Sequence, residues 1–499
     1  MRTLITPQAM RDGEARYFAS SGVPSIEVME RAATALAGVI AAELPAGATI
    51  YFACGTGGNG GDGTACARLL HKNYNCIIVQ PRPPKSPDAM ENLRRAMDCG
   101  VTVAEDAAQL AQPDAWVDAL FGTGLARAPG GAEGALIERI NADHARGARV
   151  YAADIPSGLN GETGAAYDPC IYADHTVTFQ YLKTGMTLAD GLDVCGSITV
   201  ADVGFPADSF DLSAAALFEP DDLGRILKKR PRNVHKGDCG HLLIVAGSFG
   251  MAGAAALCAR AALRSGVGLV SIACVRSIVP ILQTLVPQAM CIPLAESEGA
   301  ISAEALPTLE SALRGKSAVA VGPGLSRRAD AGVLRLVLES GLPAVIDADG
   351  LNILSEQREL LTLLTSQHVL TPHPGEAARL LGRPCTHPLN DAAALCELGA
   401  SVLLKGAASV VRSPECPTAW ISASGCQGMA RGGSGDVLTG ILGALLADRR
   451  GVNPAHAAAC ASEIHGLAGE LAQRRYGARS MNAADILEFL PEVFREYVE

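Results

Sequence analysis

The sequence predicts a two-domain α/β protein, and three observations lead to that fold class. The chain has 499 residues, more than one ordinary core organises at roughly 150 residues per domain. Short apolar runs alternate with helical patterns through both halves, the order of βαβ units and a mostly parallel sheet. Most of these runs end in glycine, proline or a polar residue, as expected where the carboxyl ends of parallel strands form a ligand crevice.

Composition agrees with a packed globular chain: 48% hydrophobic and 19% charged residues exclude extended disorder. Glycine is in excess, 54 residues, with no collagen period or low-complexity tract to absorb it, so the surplus is expected in loops. A net charge of -11 opposes binding to phosphate backbones, and 4% aromatic residues leave few platforms for stacked bases, so nucleic acid is excluded as a partner. The fifteen cysteines are odd in number and scattered, without a C-x-x-C pair, and are read as reduced core thiols. The start MRTLITPQAMRDGEARYF carries charge where a signal peptide needs an apolar run, and no uncharged apolar stretch reaches the ~18 residues of a spanning helix. These features predict a cytoplasmic protein without a membrane partner; the sequence is silent on oligomeric state and leaves a homo-oligomer open.

In chain order, SIEVMERAATALAGVIAAEL reads as a helix capped by Ser25. The strands TIYFAC, CIIVQ, AWVDALF, RVYAADIP and HTVTF follow. The pattern then breaks at FEPDDLGRILKKRPRNVHKG, which sets a boundary near Pro220 and domains at 1–219 and 220–499. Lys228, Lys229, Arg230 and Arg232 beside it read as a solvated face. A second series follows: HLLIVAG, VGLVSIAC, SAVAVGPG, PAVIDADG, HVLTPHPGE and SVLLKGAASVV.

TIYFAC exits into GTGGNGGDG, where Gly55, Gly57 and Gly60 satisfy G-x-G-x-x-G, a weak signal for a Rossmann dinucleotide site. Asp62 would put a carboxylate where a pyrophosphate would sit, which disfavours a plain dehydrogenase. The next strand ends with Gln80 and Arg82 in place of an acidic ribose ligand, and Arg82 would suit a 2′-phosphate. Two further exits carry polar residues: Asp118 precedes a loop with Gly122 and Gly124, and Asp154 and Ser157 follow a strand.

The three motifs, in this order, resemble the N-terminal domain of the NAD(P)H-hydrate repair family, with its G-x-G-N-N-G-G-D-G, D-x-x-x-G-T-G and D-x-P-S-G pattern. Gly58 replaces the first asparagine, which removes one side-chain contact and keeps the backbone path. The resemblance implies a Rossmann-like epimerase domain in which Asn59, Asp118 and Ser157 hold potassium. It further implies that Gly58, Asn59, Gly60, Gly61, Asp62, Gly122, Thr123, Gly124, Leu125, Ala126, Arg127, Ala128 and Asp154 contact the hydrated nucleotide. One carboxylate among neutral oxygens suits a hard cation of low charge, by extension from calcium and magnesium. Epimerisation breaks and remakes a bond at the ring carbon bearing the hydroxyl, and Asp154 is the candidate that donates and recovers the proton.

The strongest local signal in the second half is MARGGSGDVLTGILGALL, where Gly432, Gly433 and Gly435 open an apolar helix and Asp436 sits at its start. Such a terminus presents backbone N–H groups to phosphate. Lys405 at a strand end, Gly322 with Gly324, and His373 between two prolines accompany it. HKGDCGHLLIVAGS, MAGAA, VGPGLS, DADGLN, LTPHPGE, LLKGAAS and GGSGDVLTG resemble the ribokinase-like α/β C-terminal domain of the same family. The resemblance implies that Ala254, Gly324, His373 and Asp436 contact the hydrate, while Lys405, Gly406, Ala407, Ala408, Ser409 and Gly435 contact ADP. Asp436 is then the base for attack of the hydrate's hydroxyl on a nucleotide phosphoryl group, with magnesium on the nucleotide. The expected partners are hydrated NADH, hydrated NADPH and ADP. The alternative readings are a ribokinase-like small-molecule kinase fused to a nucleotide-binding domain, a non-catalytic nucleotide-binding regulator, and a hydrolase with Ser248 as nucleophile.

Overall fold

The computed structural model describes residues 1–499, which fall into two compact units: Thr3–Ala215, and Ala216–Glu499 together with Met1–Arg2. The first is built on a wholly parallel sheet of seven strands, in chain order Thr49–Cys54, Asn75–Val79, Thr102–Ala104, Ala115–Ala119, Arg149–Ala153, His175–Phe179 and Ser197–Ala201. Their spatial order is 3-2-1-4-5-6-7. Alternation of side chains along Thr49–Cys54 feeds two cores: Ile50, Phe52 and Cys54 point into one, Tyr51 and Ala53 into the other. Helices therefore cover both faces, and the crevice opens where the order reverses, between the exits of Thr49–Cys54 and Ala115–Ala119.

The helix reading SIEVMERAATALAGVIAAEL is observed as Ser25–Glu43, but the capping position is Pro24 and Ser25 is the first helical residue. The Ser25 hydroxyl instead donates to Asp88. The glycine-rich run is shorter as a loop than its composition suggests, because the helix Gly58–Leu70 begins inside it. A Cβ on Gly60 would lie 2.0 Å from the Gly55 carbonyl oxygen, and one on Gly63 2.6 Å from Ala119 Cβ. These glycines let the helix lie directly on the sheet.

In the second unit the strands Met290–Leu294, Leu269–Val275, His241–Val245, Ala318–Val321, Ala344–Ile346, His368–Leu370 and Ser401–Leu404 form a parallel sheet in that spatial order. Ser409–Ser413 and Cys416–Ser422 extend it antiparallel. The helix Ser434–Ala447 is buried over nearly its whole length, as its largely apolar sequence requires. It approaches the helix Ala252–Arg264 so closely that a Cβ on Gly440 would meet the Cys258 carbonyl oxygen at 2.1 Å. All fifteen cysteines are free and most are buried. No helix is long and apolar enough to cross a membrane.

Candidate active sites

In the first unit, the exits of two strands deliver a buried polar knot. Asp118, fully buried, ends Ala115–Ala119 and accepts from the Ser157 amide at 2.7 Å, the Ser157 hydroxyl at 2.6 Å and the Leu120 amide at 3.2 Å. Burial pushes its carboxyl up to about 6, against the pull of the Ser157 and Leu120 donors. Asn59 Nδ2 donates to the Phe121 carbonyl at 3.1 Å, and Asn59 Oδ1 is buried with no hydrogen-bond partner. An orphaned amide oxygen costs about 1–3 kcal/mol of desolvation unless something coordinates it. Carboxylate, hydroxyl, amide and carbonyl oxygens at one place fit an alkali cation. The structure thus brings together the three residues Asn59, Asp118 and Ser157.

Asp154 follows Ala153 with φ +66, a left-handed conformation uncommon outside glycine. Its Oδ1 accepts from the Thr178 hydroxyl at 3.2 Å, the Phe179 amide at 3.2 Å and the Lys183 ammonium. Lys183 is fully buried on a two-residue strand, Leu182–Lys183, that pairs in parallel with Leu4 and Ile5. Sequence reasoning missed this lysine, because the run TFQYLKTGM gives no motif to flag it. It also missed Glu14, which sits on the helix Pro7–Ser21 and reads as solvated surface until the fold turns it inward. Burial pushes Glu14 up to about 7, helped by Asp154 and opposed by Lys183 and Arg11. Asp62 is pushed well above the usual carboxylate range by burial and by Asp154 and Glu14.

Of the loop residues, Gly122 lies against Asn59: a Cβ there would sit 3.5 Å from Asn59 Cβ. Thr123, Gly124, Leu125, Ala126, Arg127 and Ala128 form an open stretch before the helix Gly131–Ala145. Gly58 is exposed, with nothing within 4 Å of an added Cβ, whereas Gly60 and Gly61 are buried and an added Cβ on Gly61 would clash with the Met29 sulfur. Arg82, expected to suit a 2′-phosphate, is paired with Glu133 at 2.7 Å.

In the second unit, Gly433 takes φ +95 and turns the chain into the helix whose third residue is Asp436. Beside this turn lies a buried ion pair absent from the sequence-based assignments: Lys405 Nζ donates to Asp347 Oδ1 at 2.7 Å, and Thr439 Oγ1 donates to Asp347 Oδ2 at 2.6 Å. Asp347 is 1% exposed; Lys405 and the Thr439 and Thr371 hydroxyls hold its carboxyl below the usual range despite burial. A Cβ on Gly435 would sit 3.5 Å from Lys405 Nζ. Burial and the Asp347 charge push Asp436 up to about 7, against Lys405. Gly406 and Ala407 form the exposed turn between Ser401–Leu404 and Ser409–Ser413, flanked by Ala408 and Ser409.

Ala254 and Gly324 are neighbours, with 3.0 Å from Ala254 Cβ to a Cβ added on Gly324. His373 caps the helix Pro374–Leu381: its Nδ1 accepts from the Gly375 amide at 3.0 Å, and Glu376 returns the bond from the His373 amide at 2.9 Å. Its Nε2 lies 3.6 Å from Glu376 Oε1. Ser248 is 2% exposed and donates to the Gly324 carbonyl at 2.9 Å, which ties the loop.

Comparison with known proteins matches each unit. The family model described as NAD(P)H-hydrate dehydratase covers residues 242–492, and that described as YjeF-related protein N-terminus covers residues 25–185. The second unit is similar in fold to a ribokinase-like superfamily protein from Enterococcus faecalis, with a TM-score of 0.50 and 23% identity over 58% of this chain and 98% of that one. The bifunctional NAD(P)H-hydrate repair enzyme of Escherichia coli is 34% identical over 97% of this chain and 92% of its own. That of Moorella thermoacetica is 38% identical over 99% of this chain and 97% of its own. Two polar sites in two α/β units, matched along nearly the whole chain, mean that the protein belongs to the family of bifunctional NAD(P)H-hydrate repair enzymes.

Proposed function

We propose that the first unit interconverts the R and S hydrates of NADH and NADPH. The second dehydrates the S hydrate with a nucleotide, ADP yielding AMP and phosphate. The observation that carries this reading is the Gly433–Asp436 turn, where a base lies beside backbone N–H groups and the Lys405–Asp347 pair. The hydrate's hydroxyl is a poor leaving group. Asp436 takes its proton as the oxygen attacks the terminal phosphoryl group of ADP; the phosphoanhydride bond breaks and AMP leaves. The amides of the turn stabilise the charge that develops on phosphorus oxygens. Phosphate then departs with the carbon–oxygen electron pair, driven by the ring nitrogen lone pair, and loss of the adjacent proton restores the dihydronicotinamide. Lys405 holds Asp347 and faces the turn, while Gly406, Ala407, Ala408 and Ser409 offer backbone to the nucleotide. Ala254, Gly324 and the Nε2 of His373 face the hydrate.

Magnesium would neutralise the nucleotide's phosphate charge. It needs only one or two protein carboxylates besides the phosphates, and Asp436 and Asp349 lie within each other's electrostatic reach. Potassium fits the knot of Asn59, Asp118 and Ser157, where it would neutralise Asp118 and satisfy the orphaned Asn59 oxygen. Fifteen free thiols suit a reducing compartment and support the cytoplasm as its place.

The test is to incubate the protein with both hydrates, magnesium, potassium and ADP, and to follow reduced-nicotinamide absorbance. Full recovery of both epimers is expected, and a stable phosphorylated product in its place would sink the dehydratase reading. The cation site has its own prediction. Asn59→Ala removes the unpartnered oxygen and leaves the Asp118–Ser157 bonds intact, so half-maximal epimerisation should require several-fold more potassium. Epimerisation by the unaltered protein that is the same with and without potassium would remove the cation.

A further inference from the structure

The Lys183 ammonium is fully buried and its three hydrogens are all used, on Asp154 Oδ1, on Thr178 Oγ1 at 2.8 Å and on the Phe179 carbonyl at 3.0 Å. Neutralising Asp154 would strand that cation, which is the costly way to break a buried pair. A carboxylate in this position is suited to a fixed negative charge rather than to carrying a proton through a turnover.

Two more carboxylates face the same pair. Asp62 lies in the first turns of the helix Gly58–Leu70, and Glu14 lies on the helix Pro7–Ser21; neither carboxylate is engaged by a hydrogen bond or an ion pair. The helix bearing Glu14 is fixed over the crevice. Arg11, one turn earlier on the same face, donates to the Thr123 carbonyl at 2.9 Å in the loop after Ala115–Ala119. On the far side Gly13 packs against the Phe210 ring, within 2.1 Å of which a Cβ would fall. The groups facing Glu14 are therefore Asp154, Asp62, Lys183 and, at the exposed rim, Arg11. Three carboxylates around one buried ammonium do not all ionise together, and burial favours the protonated forms of Glu14 and Asp62.

We propose that Glu14 is the acid–base catalyst of the epimerisation and that Asp154 with Lys183 is the fixed charge pair that positions and stabilises the cationic ring. This rests on the reading of the first unit as the epimerase. Protonated Glu14 gives its proton to the hydroxyl on the ring carbon beside nitrogen. The carbon–oxygen bond breaks, water leaves, and the nitrogen lone pair forms the C=N⁺ bond. Water adds to the other face of that carbon, the π pair returns to nitrogen, and the proton released from the added water passes to the Glu14 carboxylate, directly or through Asp62. Atoms and charge are then restored with the hydroxyl on the opposite face.

The experiment uses the full chain, one purified hydrate epimer, no nucleotide, and chromatography of the two epimers from pH 5.5 to 8.5 over the uncatalysed background. In the unaltered protein the rate should fall as pH rises through about 7, where burial places Glu14. Glu14→Gln should lose about 10²–10⁴ of the rate and this pH limb, yet dehydrate the S hydrate normally and melt no lower than the parent does. Glu14→Asp, which keeps an acid, should retain far more of the rate than the amide. Overturning results are a Gln variant within a few-fold of the parent, a residual rate with the parent's pH limb, or equal losses in Gln and Asp variants. A parent that does not accelerate interconversion fails at an earlier step and removes the epimerase reading itself.

Discussion

Asp436→Asn should lower nucleotide-dependent dehydration by about 10²–10⁴, the usual worth of a general base, and leave epimerisation at its parental rate. Asparagine keeps the size and the helix-terminal position but cannot accept the hydroxyl's proton. Because the base must be ionised, parental dehydration should climb as pH rises through about 7, the value to which burial and Asp347 push Asp436. The variant should lack that climb. The same shift fixes the sign of a stability effect. A carboxyl raised above its unfolded value of ~3.9 favours the protonated folded form, so the parent loses stability as pH rises from about 4 to about 7. The variant does not titrate, so it should melt higher than the parent at pH 8 and equally at pH 4. Near-normal dehydration, or a variant less stable than the parent at pH 8, would leave Asp436 as a helix-end residue only.

The largest structural effect is expected at Lys405. Lys405→Met strands Asp347, which is 1% exposed, and removing one partner of a buried pair costs about 3–5 kcal/mol. In the parent the Asp347 carboxyl is held below its usual range. Its contribution is therefore present above the unfolded value of ~3.9 and lost as pH falls through the lower folded value. Without the ammonium, burial dominates and the sign reverses, so the variant should lose stability as pH rises from acid to neutral. Urea unfolding of the second unit at pH 5 and pH 8 reads both effects. The double variant Asp347→Asn with Lys405→Met should recover much of the loss, because no unpaired charge remains. A single variant as stable as the parent at both pH values would mean that the pair is solvated.

Much of the fold was legible because it is written in local pattern. All five strand runs read in the first half, and all six in the second, are observed as largely buried strands. Three of the strands that were not read lack that pattern. Thr102–Ala104 is largely exposed, Ser197–Ala201 mixes polar with apolar residues, and Met290–Leu294 carries Pro293 at the sheet edge, where proline costs no ladder bond. The helix start at Gly58 was hidden by glycines that read as loop and serve close packing instead.

The sequence by itself determined the alternation of strands and helices, the glycine-rich exits, and the order of motifs that belongs to this family, since each is a property of neighbours along the chain. Tertiary structure alone decided which charges meet. Lys183 pairs with Asp154 across 29 residues, Lys405 with Asp347 across 58, and Glu14 reaches the same site from a helix near the start of the chain. A buried charge is tolerated only where its partner arrives, so its role depends on distance through space and on loss of water, neither of which is encoded in the residues beside it.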